Sequence, residues 1–331
     1  MKTFQKILLF ASFALLCQLL GAASWAGEVI GWGYNYGGQA TGNTTNGSPG
    51  LVTLGGQPLA DVVAISAGQD HCLALKGDGT VVGWGYDESG AATRVKGQET
   101  GNGLVMIDGQ VLSNVTAVSA STFSMALKKD GTIVVWGDEG KFSPPAGLSN
   151  IMAISAGFNQ GFALKSDSTA VGWGMTRSPV GLTNITAIAT SDTWGGNNMA
   201  LKRDGTVLEW DNRNGSPIAF AGVSNVVAIA AGTKHSLMLK RDGIVMGVGP
   251  HSGGFGEAII PIGLSNVVAI AAGDEFSLAL KKDGRIVLWG KSPYHRMDVP
   301  DGLSNVVAIA AGENFCLAIT TNRAVADKFR H

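Results

Sequence analysis

Hydrophobic residues along the chain cluster into three short phrases that recur in a fixed order. The first reads Asn-Val-Val-Ala-Ile-Ala-Ala-Gly, as at 266–273, and its central Ala returns at 64, 117, 153, 187, 228, 269 and 308. The intervals are 53, 36, 34, 41, 41 and 39 residues. The second, Leu-Ala-Leu-Lys with substitutions, starts near 73, 125, 162, 199, 237, 278 and 317. The third ends in Trp-Gly, with Trp32, Trp84, Trp136, Trp173, Trp210 and Trp289 in its aromatic slot and Val248 in the remaining copy. Val, Ile, Leu and Trp partly alternate with small residues, the pattern of short strands pressed between neighbouring sheets.

Between the second and third phrases stand Asp78-Gly79, Asp130-Gly131, Asp204-Gly205, Asp242-Gly243 and Asp283-Gly284, with Asp167-Ser168 as a weaker copy. Asp-Gly between strand-like runs signals a hairpin, since both residues tolerate positive φ. A variable stretch after each Trp-Gly leaves room for a fourth strand. Four strands in about 44 residues is the size of a propeller blade.

The chain ends discriminate a closed ring from an open solenoid. The last repeat has its first two phrases, Asn305–Ile319, and no third. An orphan third phrase, Gly27–Gly33, stands near the N-terminus. The counts balance only if the two ends share one blade, which also removes exposed sheet edges; a solenoid would need caps instead. The expectation is an all-β, seven-bladed β-propeller over 27–319, closed by the N-terminal strand completing the last blade.

Composition narrows the class. Gly numbers 48 of 331 without a three-residue period, which excludes collagen, and Pro is only 10. Charged residues make up 15% against 45% hydrophobic, which argues for a folded core rather than disorder. Net charge is −1, so no excess of positive charge points to nucleic acid.

Residues 1–26 read as a secretory signal peptide: Lys2 and Lys6, the apolar run Ile7–Leu20, then Ser24-x-Ala26. The run is shorter than the roughly 20 residues of a spanning helix, so no membrane span is expected after cleavage. The expected location is outside the cytoplasm: periplasmic, cell-surface or secreted. Residues 320–331 read as a polar tail. Cys72 and Cys316 are too few for a disulfide-stapled scaffold, and read as two buried thiols sharing one repeat slot.

Candidate catalytic chemistry is sparse along the chain. His71 and His235 share a repeat slot with Phe123, Phe276 and Phe315, which makes it a packing slot. His251 and His295 fall in separate loops. The chain has no zinc, calcium, nucleophile-elbow or phosphate-loop spacing. The expectation is a protein that is not an enzyme and has no cofactor and no metal. The six slot Trp residues read as packing between blades.

Two segments carry a family resemblance. Ile229-Ala-Ala-Gly-Thr-Lys-His-Ser-Leu-Met-Leu239 and, nearly so, Ile65–Leu75 resemble the repeat signature of the regulator-of-chromosome-condensation family. Trp32-Gly-Tyr-Asn-Tyr-Gly-Gly-Gln39, with Gly42 and Pro49, is similar to that family's loop after the Trp. The resemblance implies a seven-bladed propeller. Its namesake is a chromatin-bound guanine-nucleotide exchange factor. The family also includes secreted bacterial propellers with short repeats, one of which inhibits β-lactamases by protein contact. Loop length and the export signal place this chain nearer the secreted bacterial members.

Strand order then divides the surface. One face collects the turns after the first phrase and the loops after the Trp, carrying Tyr34, Tyr36, Tyr86 and Phe255. It also carries a blade-four insertion, Thr193-Trp-Gly-Gly-Asn197, with Trp194 outside the repeat slots. The acids Asp70, Asp87, Glu88, Asp138, Glu139, Asp192, Asp274, Glu275 and Glu313 share that face. The opposite face carries the Asp-Gly hairpins and a row of Lys and Arg. The functional expectation is an exported binding module, with a protein partner through Tyr34, Tyr36, Tyr86, Trp194 and Phe255. A carbohydrate-binding propeller and an exchange-factor-like activity are the alternatives.

Overall fold

The structure is a computed structural model describing residues 26–43, 49–87, 89–93, 103–137, 142–174, 179, 181–211, 215–249, 256–290 and 298–330. Residues 1–25, which hold most of the expected signal peptide 1–26, lie outside the described residues. Strands β1 (Glu28–Gly33) and β2 (Gly50–Leu51) precede a small hairpin, β3 (Thr53–Leu54) and β4 (Gln57–Pro58). A three-strand unit follows: β5 (Val62–Ala67), β6 (His71–Lys76) and β7 (Val81–Gly85). After a second small hairpin, β8 (Met106–Ile107) and β9 (Gln110–Val111), the unit recurs as β10 (Val115–Ala120), β11 (Ser124–Lys128) and β12 (Ile133–Trp136). The next copy is β13 (Ile151–Gly157), β14 (Gln160–Lys165) and β15 (Ala170–Gly174).

Strands β16 (Ile185–Thr190), β17 (Asn197–Lys202) and β18 (Val207–Asp211) gain an outer β19 (Ile218–Ala219). Two further copies are β20 (Val226–Ala231), β21 (Ser236–Lys240), β22 (Val245–Val248) and β23 (Val267–Ala272), β24 (Phe276–Lys281), β25 (Ile286–Gly290). Last come β26 (Val306–Ala311), β27 (Phe315–Thr320) and a one-turn helix α1 (Arg323–Ala326).

The molecule is therefore all-β, built of small antiparallel sheets. Only two of them have four strands among the described residues; elsewhere the room for a fourth strand goes unused or falls outside those residues. One four-stranded sheet runs β2-β1-β27-β26, so the N-terminal strand pairs with the C-terminal one. The first strands touch in sequence: β5 to β10, then β13, β16, β20, β23 and β26, which touches β5.

Each first strand is entered through a left-handed residue: Asp61, Asn114, Asn150, Asn184, Asn225, Asn266 and Asn305 have φ between 54° and 60°. Asn and Asp occupy this region more readily than other non-glycine residues. The carbonyl of each accepts the N–H of the residue after the second strand's Lys or Thr, as in Arg241 N to Asn225 O at 2.9 Å. Each first strand then carries a bulge, as between Val62 and Ala64, and the bulge bends the strand.

The hairpins correct one sequence expectation. The Gly of each Asp-Gly has positive φ (77–83°) but the Asp does not. Gly79 N donates to Lys76 O at 2.9 Å and Asp78 Oδ1 accepts from Thr80 N at 2.9 Å. This is a three-residue loop with a type I turn and a left-handed fourth residue, and the carboxylate closes it. Ser168, with φ 66°, takes the Gly place in the weak copy.

The core lies within and between the sheets. Each slot Trp is buried and faces a residue of the neighbouring second strand: Trp84 is opposite Cys72, Trp136 opposite Ser124 and Trp173 opposite Gly161. A Cβ on Gly161 would meet the Trp173 ring at 2.4 Å, which explains the Gly. Residues after β27 are not simply polar. Val325 and Ala326 on α1, with Phe329 beyond it, are buried in the cluster that holds Ile30, Leu51 and Leu303.

Candidate functional site

The slot Trp residues show how one sheet is keyed to the next. The Trp84 indole N–H donates to Gln39 O (3.0 Å), Trp136 to Ala92 O (3.4 Å), Trp173 to Phe142 O (2.7 Å) and Trp289 to Glu257 O (2.8 Å). Every acceptor lies in the loop that follows the preceding sheet's slot residue. The Trp32 and Trp210 indole N–H groups are buried without a partner among the described residues.

The slot of His71 and His235 is a packing slot with a second function. His71 Nε2 lies 2.8 Å from Ser124 Oγ in the next sheet, and His235 Nε2 2.8 Å from Ser277 Oγ. Each Ser donates its proton to a loop carbonyl, Ala91 O and Glu257 O, so each imidazole is the donor to Ser. Gln160 Nε2 to Asn198 Oδ1 (2.8 Å) repeats the link. Burial holds both imidazoles neutral, down to about 4 from the ordinary 6.5. Cys72 and Cys316 are free and buried, and burial pushes both thiols up.

The turn-side surface gathers the aromatic candidates. Tyr34 and Tyr36 stack at 6.5 Å, and Tyr34 N donates to Asn314 O at 2.9 Å. Tyr86 N donates to Asp70 O at 2.8 Å, and a Cβ on Gly37 would lie 3.1 Å from Tyr86 Cβ, so the three Tyr residues share one region. Tyr36 is 76% exposed and Tyr86 48%, while Tyr34 is half-buried. Trp194 is 64% exposed on the turn between β16 and β17, its ring edge-on to Phe158 at 6.0 Å. Phe255, His251, His295, Glu88, Asp138 and Glu139 lie outside the described residues.

The turn carrying Trp194 reaches inward. Gln69 Nε2, between β5 and β6, donates to Asp192 O at 2.7 Å, and Phe158 N donates to Ser191 O at 3.0 Å. Asp192, Asp274 and Glu313 line one small cavity there. Burial, and then the Glu313 carboxylate, push Asp192 up to about 8. Burial raises Glu313 as well, with Asp70 and Asp274 adding to it. Among the described acids of this face, Glu275 has a cation beside it, Lys234 Nζ at 3.5 Å. Asp87 is not a free surface acid: its carboxylate accepts from Ala92 N (2.7 Å), Thr93 N (3.0 Å) and Thr93 Oγ1 (2.6 Å).

Three participants were missed in the sequence. Asn35 organises its loop by accepting from Ala40 N (2.8 Å) and Thr41 N (3.1 Å). Its signal was present, since Asn35 and Asp87 both stand three residues after a slot Trp. Gln69 and Phe158 carried no such signal. Among the described residues no three His, Cys, Asp or Glu side chains are grouped to hold a metal, and no helix is long and apolar enough to cross a membrane.

Small antiparallel sheets keyed by Trp and arranged in sequence define the class: a β-propeller. Residues 62–91 and 267–296 match the model of the regulator of chromosome condensation (RCC1) repeat, so the chain carries two segments similar to that repeat. It is similar in structure to Prp20p of Saccharomyces cerevisiae, described with its binding properties to Gsp1p and histones (TM-score 0.69, 17% identity, 92% of this chain, 94% of that). Yeast RCC1 (Prp20) bound to Kap60 matches with TM-score 0.70 and 17% identity over 99% and 96% of the two chains. Human WBSCR16 matches with TM-score 0.68 and 14% identity over 90% and 99%. At these identities the likeness carries the fold alone.

Proposed function

We propose that the chain is an exported, seven-bladed closed propeller that binds another protein through its turn-side face and has no catalytic role. Closure is supported by register: Trp32 of β1 stands opposite Cys316 of β27, as Trp84 stands opposite Cys72 within one sheet. It is supported again by β26 touching both β23 and β5. Export rests on the sequence of residues 1–26. The binding reading rests on one observation above others: Trp194, outside every repeat slot, is 64% exposed on a turn that crosses toward Gln69.

Exposed aromatics of this size are the residues that dominate protein interfaces. Tyr36 and Tyr86 extend the surface, and Asp70, Asp274 and Glu313 give it negative charge that favours a basic partner. The yeast relatives are described with protein partners, which agrees with the class of function but does not identify a partner here. An exchange-factor-like role rests on the repeat resemblance alone.

Photo-crosslinking residues placed at 36, 86 and 194, and separately at 128, 202 and 281 on the hairpin side, test the face. Adducts to one partner from the first set alone are expected. Adducts from the second set alone would overturn the assignment.

A further inference from the structure

A cavity of about 540 Å³ lies between the first strands, within the roughly 300–1,000 Å³ range of small-molecule sites. Its wall is largely aliphatic, including Ile65, Val118, Ile154, Ile188, Ile270 and Ile309. The hydroxyls in that wall are engaged with its own strands. Ser66 Oγ accepts from Ala120 N (2.9 Å), Ser119 Oγ accepts from Ala156 N (2.9 Å), and Thr190 Oγ1 donates to Ala156 O (2.7 Å). The interior therefore favours an apolar chain.

The two ends differ. At the turn side the Asp192 segment leans over the cavity, held by Gln69. At the hairpin side Arg241 and the 52% exposed Val268 line the opening. Arg241 belongs to a repeated rung: Lys129, Arg203 and Lys282 make the same backbone bond, to Asn114, Asn184 and Asn266 at 2.8 Å each. Arg203 donates to Ser168 Oγ at 2.7 Å. Among the described residues, no hydrogen bond or ion pair engages the exposed side chains of Lys129, Arg241 and Lys282. The adjacent lysine row differs, with Lys165 and Lys202 paired to Asp167 (3.0 Å) and Asp204 (3.8 Å). Of the rung cations Arg241 lines the cavity, and it sets positive charge at the open end of an apolar channel.

We propose that this channel binds a single-chain amphiphile with an anionic head, its tail among the isoleucines and its carboxylate at Arg241. A cationic head has no counterpart at the open end, and the acids of the turn side lie across the covered end. Affinity comes from burying methylene groups, and the head fixes direction.

Calorimetric titration of the full chain with dodecanoate, dodecyltrimethylammonium and acetate, each below any micelle concentration, tests it. Dodecanoate is expected to bind one per chain, with the other two at least tenfold weaker. The rung variant Arg241→Gln should weaken dodecanoate at least tenfold without lowering the melting temperature. Ala271→Leu, which fills the channel, should abolish binding; if that variant does not fold, the rung variant decides. No dodecanoate binding, equal binding of the cationic detergent, or unchanged affinity in the rung variant would each overturn the proposal.

Discussion

Removing Gly27–Gly33 tests whether the two chain ends share one sheet. The strand pairs with β27 at six positions, from Glu28 opposite Thr320 to Gly33 opposite Phe315. Val29, Ile30 and Trp32 are fully buried. Burying a Val or Ile side chain contributes about 1.5–3 kcal/mol. Truncating a buried Trp costs about 3–5 kcal/mol. The three together amount to about 6–11 kcal/mol, comparable with the total stability of about 5–15 kcal/mol typical of a folded domain. The deletion also bares the edge of β27, which invites association with other chains. Urea unfolding and size-exclusion chromatography of a chain starting at 34 are expected to show aggregation or loss of the cooperative transition. Trp32→Ala, a milder change, should lower stability by about 3–5 kcal/mol. A truncated chain that stays monomeric with an unchanged melting temperature would refute the shared sheet.

Trp136→Ala should cost about 3–5 kcal/mol in chemical denaturation, whereas Tyr36→Ala on the exposed loop should change stability by less than about 0.5 kcal/mol. His71 and His235 stay neutral in the fold down to about 4, while the unfolded chain protonates them near 6.5. Stability should therefore fall as pH drops through that window, by up to about 1.4 kcal/mol per pH unit per His. His71→Gln, which copies Gln160 in the same slot, should flatten that acid limb. Asp192 acts in the opposite sense: the fold keeps its proton up to about 8, so stability is lost as pH rises toward 8 and Asp192→Asn should reduce that loss.

The repeat order made the strands legible because each phrase serves one purpose in every copy. A Trp needs a fitting residue across the strand pair, hence Gly161 opposite Trp173 and Cys316 opposite Trp32. A left-handed entry needs Asn or Asp, hence Asn266 before β23. Contacts that occur once were not legible. The reach of Gln69 to Asp192 joins residues 123 apart and breaks the repeat, so no copy announces it. The burial of Val325 and Phe329 depends on where the last sheet leaves a gap beside Leu51 and Leu303, which a polar-looking segment does not disclose. The hairpins were located through Asp-Gly but their geometry was not, because the deciding partner is Thr80 or its equivalent rather than the Asp-Gly pair itself.

The most direct measurement of the turn-side reading is the affinity of Trp194→Ala for the partner recovered by crosslinking, set beside a variant with Lys128, Lys202 and Lys281 changed to Glu. Trp194→Ala should weaken binding by about 2 kcal/mol or more with little change in melting temperature, and the charge-reversed chain should keep its contacts. Unchanged affinity in Trp194→Ala together with lost binding in the charge-reversed chain would contradict the account and move the interface to the hairpin side.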